Sequence, residues 1–161
     1  MARFLDSAVP EVLRALRTSM NMDVAFVSEF VDGRRVFRRV DADAKAKVIR
    51  EGLSDPLERT YCKMVVEGRM PGMLRDAATH PVAAKLPAPA PVRAFLSVPI
   101  ILNDGAIYGT LCCFSLAPNK NLTARDLQRL RMAGKLIGRR IDESRKLETE
   151  LVIKDWSLAP I

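Results

Sequence analysis

Residues 94–116 read AFLSVPIILNDGAIYGTLCCFSL, and this stretch decides the fold. Two apolar runs flank the polar turn Asn103-Asp104-Gly105, which is the pattern of a β-hairpin. Both runs are apolar on both faces, so we expect the sheet to be covered on each side. Neighbouring residues on a strand point to opposite faces, so the adjacent Cys112 and Cys113 cannot hold one metal ion together or readily bridge each other.

The residues before this hairpin predict a helix followed by another hairpin. Residues 7–20 carry apolar side chains at helical spacing, with arginines on the other side. Residues 23–31 and 34–41 are rich in β-branched and aromatic types and flank Asp32-Gly33, a favoured two-residue turn. The chain therefore begins with an amphipathic helix and a two-stranded unit.

A second helix and a proline-rich loop separate the two hairpins. Asp55 as N-cap, Pro56 at the first helical position and Glu58 in a capping box predict a helix that ends near Glu67, before Gly68. The loop after it includes a short strand near residues 73–76. Alanine and proline dominate residues 87–91, for which we expect a mobile surface segment.

The last stretch is predicted to be one long helix, which begins after a Thr123 cap. Its apolar stripe runs through Leu127, Leu130, Gly134, Ile137 and Ile141, and Gly134 and Gly138 allow another backbone to approach closely. Beyond Ile141 the stripe weakens through Ser144, Glu148 and Leu151. This part is too charged for a core, so we expect a projecting connector or a dimer seam.

The composition limits the classes of function. The chain has 161 residues, of which 48% are hydrophobic, and a formal net charge of +7. This suits one domain with a sizeable core. No apolar run reaches transmembrane length, and the charged N-terminus lacks the apolar core of a signal peptide, so we expect a cytoplasmic protein with no membrane contact. Three cysteines are too few for a disulfide framework.

Direct binding to nucleic acid is disfavoured despite the positive charge. Much of the excess of basic over acidic residues lies in the last helix and in the first hairpin, at Arg34, Arg35, Arg38 and Arg39. No aromatic residues alternate with the basic ones, and no helix-turn-helix pattern stands out. We therefore interpret these arginines as a solvated basic surface.

The order of elements and two local segments resemble a GAF domain. The segment RAFLSVPIILNDGAIYGTLCCFS resembles the signature hairpin of GAF modules, and YCKMVVEGRMPGMLRDAATHP is similar to the cap region of bacterial GAF domains. The resemblance implies an α+β, GAF-like (profilin-like) antiparallel sheet. The terminal helices would pack on one face, and loops and short helices would enclose a small-molecule pocket on the other. We expect a GAF domain over residues 5–142 and a helical connector or coiled-coil extension over residues 143–161.

The resemblance also implies which side chains face the pocket. Five of the predicted pocket residues share one face of the signature hairpin, and three more belong to the cap region. The predicted ligand-binding residues are Tyr61, Cys62, Asp76, Phe95, Ser97, Thr110, Cys112 and Phe114. Two alternatives stay open at this point: Ser97 and Thr110 could bond to backbone in a filled core, and Asp76 could cap the turn that follows it.

Some relatives of this fold suggest other chemistries. Photoreceptor GAF domains attach a bilin near the position of Cys62, and His80 is the sole candidate for a haem ligand. GAF-type enzymes reduce free methionine sulfoxide with pocket cysteines, in which case Cys62 would be the nucleophile and Cys112 the resolving thiol. Arg75 and Arg93 flank the loop and would suit an anionic ligand such as a cyclic nucleotide.

These observations favour a non-enzymatic sensory module. We expect it to bind an unidentified small molecule, with no cofactor named by the sequence, and to dimerise through its first and last helices. The resemblance implies an output in bacterial signalling, either cyclic-di-GMP turnover or a histidine kinase. A purely structural dimerisation module with a filled pocket is a further alternative.

Overall fold

The computed structural model describes residues 8–86 and 92–158 and contains one six-stranded antiparallel sheet, in the order β3-β2-β1-β6-β5-β4. The strands are β1 Val24–Val31, β2 Arg34–Ala42, β3 Ser54–Pro56, β4 Met73–Leu74, β5 Ala94–Ile101 and β6 Ile107–Ser115. The helices are α1 Val9–Ser19, α2 Tyr61–Val66 and α3 Ala124–Leu158. The predicted surface segment 87–91 lies outside the described residues, as do residues 5–7 and 159–161 of the predicted domain and connector.

Both predicted hairpins are confirmed. In the first, Asp32 and Gly33 have φ angles of 51° and 74°, the left-handed conformation that a tight turn between twisted strands requires. In the second, β5 pairs with β6 from Ala94↔Ser115 to Ile101↔Ile107. The two hairpins join through β1 and β6, which pair along six residues, so the sheet is continuous.

Apolar side chains cover both faces of the sheet, as the two-sided strands predict. On the helix face, Cys113 and Leu111 pack with residues of α1 and α3; these are Val9, Leu13, Leu130, Ile137 and Ile141. On the opposite face, Cys112 and Phe114 pack with Cys62 and Met64 of α2 and with loop residues. The adjacent cysteines of β6 therefore belong to two separate cores.

The predicted helix from Asp55 is wrong in its first half. Residues Ser54–Pro56 form the edge strand β3, where Asp55 pairs with Arg35 of β2, and a 3-10 turn follows at Leu57–Arg59. The true N-cap is Thr60, whose hydroxyl accepts a hydrogen bond from the Lys63 N–H at 3.2 Å. Pairing with β2 overrides the local capping signal, and Pro56 is tolerated because it lies on an edge strand.

Helix α3 runs without a break past residue 142, and it begins directly after Thr123, as predicted. Asp126 accepts the Thr123 N–H at 2.9 Å. Where the helix crosses β5, a Cβ added at Gly138 would lie 2.8 Å from the carbonyl oxygen of Ile101. Gly138 therefore sets how closely the helix approaches the sheet. Among the described residues no helix is both long enough and apolar enough to span a bilayer.

Replacing Gly138 by alanine tests this close approach. Alanine favours a helix by about 1 kcal/mol over glycine, but at Gly138 it overlaps a backbone oxygen that cannot turn aside. We expect Gly138→Ala to lower the free energy of unfolding by about 1 to 3 kcal/mol, measured by urea denaturation.

Gly134→Ala is the matched control, because its Cβ would lie 3.2 Å from the Val98 side chain and at an ordinary 3.7 Å from the nearest backbone oxygen, that of Pro99. At Gly134 the higher helix propensity of alanine offsets the crowding, so we expect little net change in the free energy of unfolding. Equal stability of the two variants would contradict the close-approach explanation.

Candidate ligand-binding site

A cavity of about 250 Å³ lies between α2 and the sheet. Its volume is just below the roughly 300 to 1,000 Å³ of pockets that hold drug-sized ligands, so it suits a small molecule. Aromatic rings form much of the wall, and a few charged groups lie among them. The lining includes Phe26, Arg35, Phe37, Ile49, Asp55, Arg59, Tyr61, Cys62, Val92, Phe95, Cys112 and Phe114.

The Cys62 sulfur is the centre of a buried polar cluster beside this cavity. Its Sγ accepts a hydrogen bond from Arg35 Nη1 at 3.4 Å and another from the Thr110 hydroxyl at 3.1 Å. The Cys112 Sγ lies 3.5 Å away. Helix α2 supplies Cys62, β2 supplies Arg35 and β6 supplies the other two, so the cluster joins the cap to the sheet.

The strand register explains why these polar side chains meet. Thr110 lies opposite Ser28 of β1, and their hydroxyl oxygens are 2.7 Å apart. Cys112 lies opposite Ser97 of β5 and donates its S–H to the Ser97 hydroxyl at 3.0 Å. Each hydroxyl in this core therefore has a hydrogen-bond partner, which removes most of the cost of burying it.

Arg35 is the one strongly basic group of the cluster, and it is only 6% exposed. Its Nη2 donates to Asp55 Oδ2 at 2.6 Å. The guanidinium also lies over the rings of Phe37 and Phe26, with its Cζ 4.7 and 5.6 Å from the ring centroids. Its buried Nε has no hydrogen-bond partner within the described parts of the chain. One donor of a residue that lines the cavity thus has no partner among the described residues.

These contacts shift the pKa values of the two thiols in opposite directions. Burial raises the pKa of Cys62, but hydrogen bonding with Cys112, the charge of Arg35 and the hydrogen bond from Thr110 outweigh it and lower the pKa to about 5. Burial and the neighbouring Cys62 raise the pKa of Cys112 well above its usual range. Cys62 is therefore the more acidic thiol of the pair.

The structure brings seven of the eight predicted residues to this region. Tyr61, Cys62, Phe95, Cys112 and Phe114 line the cavity. Ser97 and Thr110 lie behind it, bonded to the two cysteine sulfurs rather than to backbone as the filled-core alternative requires. Whether these side chains contact a ligand stays a prediction.

Asp76 lies apart from the cavity lining. It caps a 3-10 turn by accepting the Ala78 N–H at 3.1 Å, and it forms a two-point ion pair with Arg93 at 2.8 and 2.9 Å. The position of Asp76 therefore agrees with the alternative in which it caps the turn that follows it. Arg75 likewise donates to the Leu122 carbonyl, and His80 Nδ1 accepts two backbone N–H groups of its own loop.

Sequence reasoning missed Arg35, which we had assigned to a solvated basic surface. The structure corrects this: Arg34 is exposed, but Arg35 is buried. The signal was strand alternation, because Arg35 lies two residues before Phe37 and so shares its face. A charged residue on the same face as a buried aromatic residue is a candidate for a paired, functional group.

Comparison with known proteins identifies the fold. Residues 2–142 match a family model described as GAF domain. No curated protein matches the sequence at a significant score. Many solved structures are similar, of which three serve as examples. The GAF domain of a phosphoenolpyruvate-protein phosphotransferase from Coxiella burnetii is 21% identical, with a TM-score of 0.69 over 90% of this chain and 86% of that one.

The type II free methionine-R-sulfoxide reductase of Thermoplasma acidophilum is 15% identical, with a TM-score of 0.69 over 88% of this chain and 95% of that one. The blue-light absorbing PixJ GAF domain of Thermosynechococcus elongatus is 16% identical, with a TM-score of 0.66 over 89% and 88% of the two chains. Proteins of three different kinds thus share this architecture, so the likeness establishes the fold and not an activity.

The ionised Cys62 predicts a pH dependence of folding stability. Its pKa is lower in the folded chain, about 5, than the value of 9.0 for a free thiol, so between these values the folded state binds fewer protons. The free energy of unfolding should therefore rise from about pH 5 to about pH 9. This stabilising contribution is complete above the pKa of the thiol in the unfolded chain, and it is lost as the pH falls through the pKa in the folded chain.

Urea denaturation across this range measures the effect, with Cys62→Ser as the comparison. The variant lacks the ionising thiol, so its curve should be flatter than that of the wild type. Cys113→Ser, a change in the other core, should leave the pH dependence intact. Parallel curves for the wild type and Cys62→Ser would rule out a thiolate at this position.

Proposed function

The chain belongs to the GAF domain family, and from this premise we propose that it is a sensory domain. It binds a small, largely apolar molecule in the cavity without turning it over, and α3 carries the resulting change to an output. The observation that carries this proposal is an aromatic cavity whose wall contains a buried arginine with one unpaired donor.

The lining defines the class of ligand. Rings of Phe26, Phe37, Phe95 and Phe114 favour a flat apolar body. Arg35 Nε favours one hydrogen-bond acceptor, such as a carbonyl or carboxylate oxygen, because a buried donor without a partner is unfavourable. A ring compound bearing one such oxygen meets both requirements.

Strand β1 provides a connection from the cavity side to α3. Ser28 bonds to Thr110 on the cavity face, and the next residue, Glu29, points to the helix face. There Glu29 forms ion pairs with Arg38 at 2.7 Å and with Arg145 of α3 at 3.5 Å. A shift of β1 on ligand binding would thus reach the helix at the start of the predicted connector.

Helix α3 also supports the proposed homodimer. Met132, Leu136, Leu147 and Leu151 are 67%, 58%, 55% and 46% exposed. Their spacing of four, eleven and four residues places them on one side of the helix. This stripe differs from the predicted seam through Ser144 and Glu148. We assign it to contact with a second copy of the chain, as part of a dimer through the first and last helices.

The output remains part of the proposal. By the family resemblance it is cyclic-di-GMP turnover or a histidine kinase in the cytoplasm, with residues 143–161 as the connector to it. A dimer suits this role, because a ligand that binds one arrangement of two helices better than another shifts the equilibrium between them.

Acetophenone and ethylbenzene test the role of Arg35 Nε, because they differ by one carbonyl oxygen. Arg35→Lys keeps the positive charge but places a methylene group where Nε lies. A hydrogen bond to a charged group contributes about 1.5 to 3 kcal/mol. We therefore expect the ratio of the two affinities, measured by calorimetry, to shift against acetophenone by roughly tenfold or more in the variant.

Arg93→Lys is the matched control, because Arg93 pairs with Asp76 outside the cavity lining. It should leave both affinities unchanged. Absence of binding of both compounds to the wild type would count against an open cavity, and an unchanged ratio in Arg35→Lys would count against the unpaired donor.

The double variant Leu147→Glu, Leu151→Glu tests the dimer. Each buried leucine contributes about 1.5 to 3 kcal/mol, so we expect self-association to weaken roughly a hundredfold or more, measured by sedimentation equilibrium. Thr149→Glu adds a charge on another side of the same helix and should have little effect. A wild-type chain that sediments as a monomer at high concentration would refute the dimer.

A further inference from the structure

The contact between Cys62 and Cys112 has a chemical consequence of its own. The two sulfurs lie 3.5 Å apart, one on α2 and the other on β6. A disulfide requires about 2 Å between sulfurs, so an approach of about 1.5 Å would close the bond. A short helix of six residues carries Cys62, and such a segment can move more easily than the sheet.

The surroundings give the two sulfurs different roles. Arg35 and Thr110 both donate hydrogen bonds to the Cys62 sulfur, which stabilises the thiolate, the nucleophilic form of cysteine. Cys112 keeps its proton and donates a hydrogen bond to the Ser97 hydroxyl. One sulfur is therefore prepared to attack an electrophile, and the other lies within reach to resolve the product.

We propose that Cys62 and Cys112 form a redox-active dithiol that an organic hydroperoxide, entering the aromatic cavity, oxidises to a disulfide. Cys62 reacts first and Cys112 resolves the intermediate. Cys113 takes no part, because it lies in the other core beneath α1 and α3, where burial raises its pKa to about 12.

The reaction has two balanced steps. The Cys62 thiolate attacks the terminal oxygen of the hydroperoxide, the O–O bond breaks, and the alkoxide leaves and takes a proton from water. This oxidises Cys62 to a sulfenic acid by two electrons and reduces the hydroperoxide to an alcohol. The Cys112 sulfur then attacks the Cys62 sulfur, the S–O bond breaks, and the departing hydroxide takes the Cys112 proton to form water.

The cavity favours an organic hydroperoxide among two-electron oxidants. Its aromatic lining accommodates an apolar body, which hydrogen peroxide lacks. Arg35, which lines the cavity, supplies a positive charge that stabilises the departing alkoxide.

This inference goes beyond the proposed sensing of a ligand. Disulfide formation requires no reversible ligand and is measured on the chain alone. Both proposals need an open cavity. A chain that binds acetophenone or ethylbenzene but keeps its thiols in cumene hydroperoxide would refute the dithiol alone, whereas a chain whose thiols are oxidised but that binds neither compound would refute only the reversible ligand.

The experiment treats the reduced chain of 161 residues with cumene hydroperoxide, hydrogen peroxide or free methionine sulfoxide. Remaining thiols are then alkylated under denaturing conditions and counted by intact mass. Reduced protein should carry alkyl groups on all three cysteines. After cumene hydroperoxide we expect Cys113 alone to be alkylated, and dithiothreitol should restore the other two.

Three variants assign the roles. In Cys112→Ser the reaction should stop at the sulfenic acid of Cys62, which dimedone traps. In Cys113→Ser, the matched control, the Cys62–Cys112 disulfide should form at the wild-type rate. In Arg35→Lys, which keeps a positive charge but lacks the guanidinium that bonds to Cys62, we expect the rate of oxidation to fall roughly tenfold or more.

Several results would overturn the proposal. These are a wild-type chain that keeps three free thiols in excess cumene hydroperoxide, loss of the disulfide in Cys113→Ser, and dimedone labelling absent from Cys112→Ser. Faster oxidation by hydrogen peroxide or by methionine sulfoxide than by cumene hydroperoxide would overturn the assigned class of oxidant.

Discussion

The buried guanidinium of Arg35 is the constraint on which the cavity depends. Leaving a buried charge without its partner costs about 3 to 5 kcal/mol, so groups of opposite sign must lie beside it. Asp55 of the edge strand and the Cys62 sulfur provide them, and two aromatic rings cover the cation. Arg35 thus adds a side-chain link from β2 to both β3 and α2, beside the backbone pairing of β3 and the apolar packing of α2. The cavity lies where these elements meet.

The sheet supplies the other half of this arrangement through an unusually close contact. A Cβ at Gly109 would lie 1.9 Å from the carbonyl oxygen of Ser28, so only glycine allows β1 and β6 to pair there. The next residue, Thr110, then meets the Ser28 hydroxyl and donates to Cys62. Gly109 and Thr110 therefore have successive roles: Gly109 allows the neighbouring strand to pair closely, and Thr110 connects that strand to the cap helix.

The sequence predicted what depends on local pattern, and it failed where distant residues compete. Alternation along β6 assigned Cys112 and Cys113 to opposite faces, since the period of a strand is independent of context. The signal at Asp55 predicted a helix, but pairing with Arg35 across 20 residues favoured a strand. Arg35 is one of four closely spaced arginines on β2, of which only Arg34 is exposed. Its burial follows from partners on β3 and α2, which periodicity alone does not reveal.

One guanidinium connects the proposed ligand and the proposed dithiol. Arg35 Nη1 bonds to Cys62, while its Nε, which has no partner in the described chain, is assigned to the ligand. Oxidation removes the negative charge of the Cys62 thiolate but leaves the positive charge of Arg35. The reduced and oxidised forms of the cavity therefore differ in net charge by one unit. A ligand that senses this difference binds one form more tightly. By linkage, it must change the stability of the disulfide by the same free energy. Under the two proposals both sites use the same cation, so the redox state of the thiols and the binding of a ligand would be coupled without any further structural element.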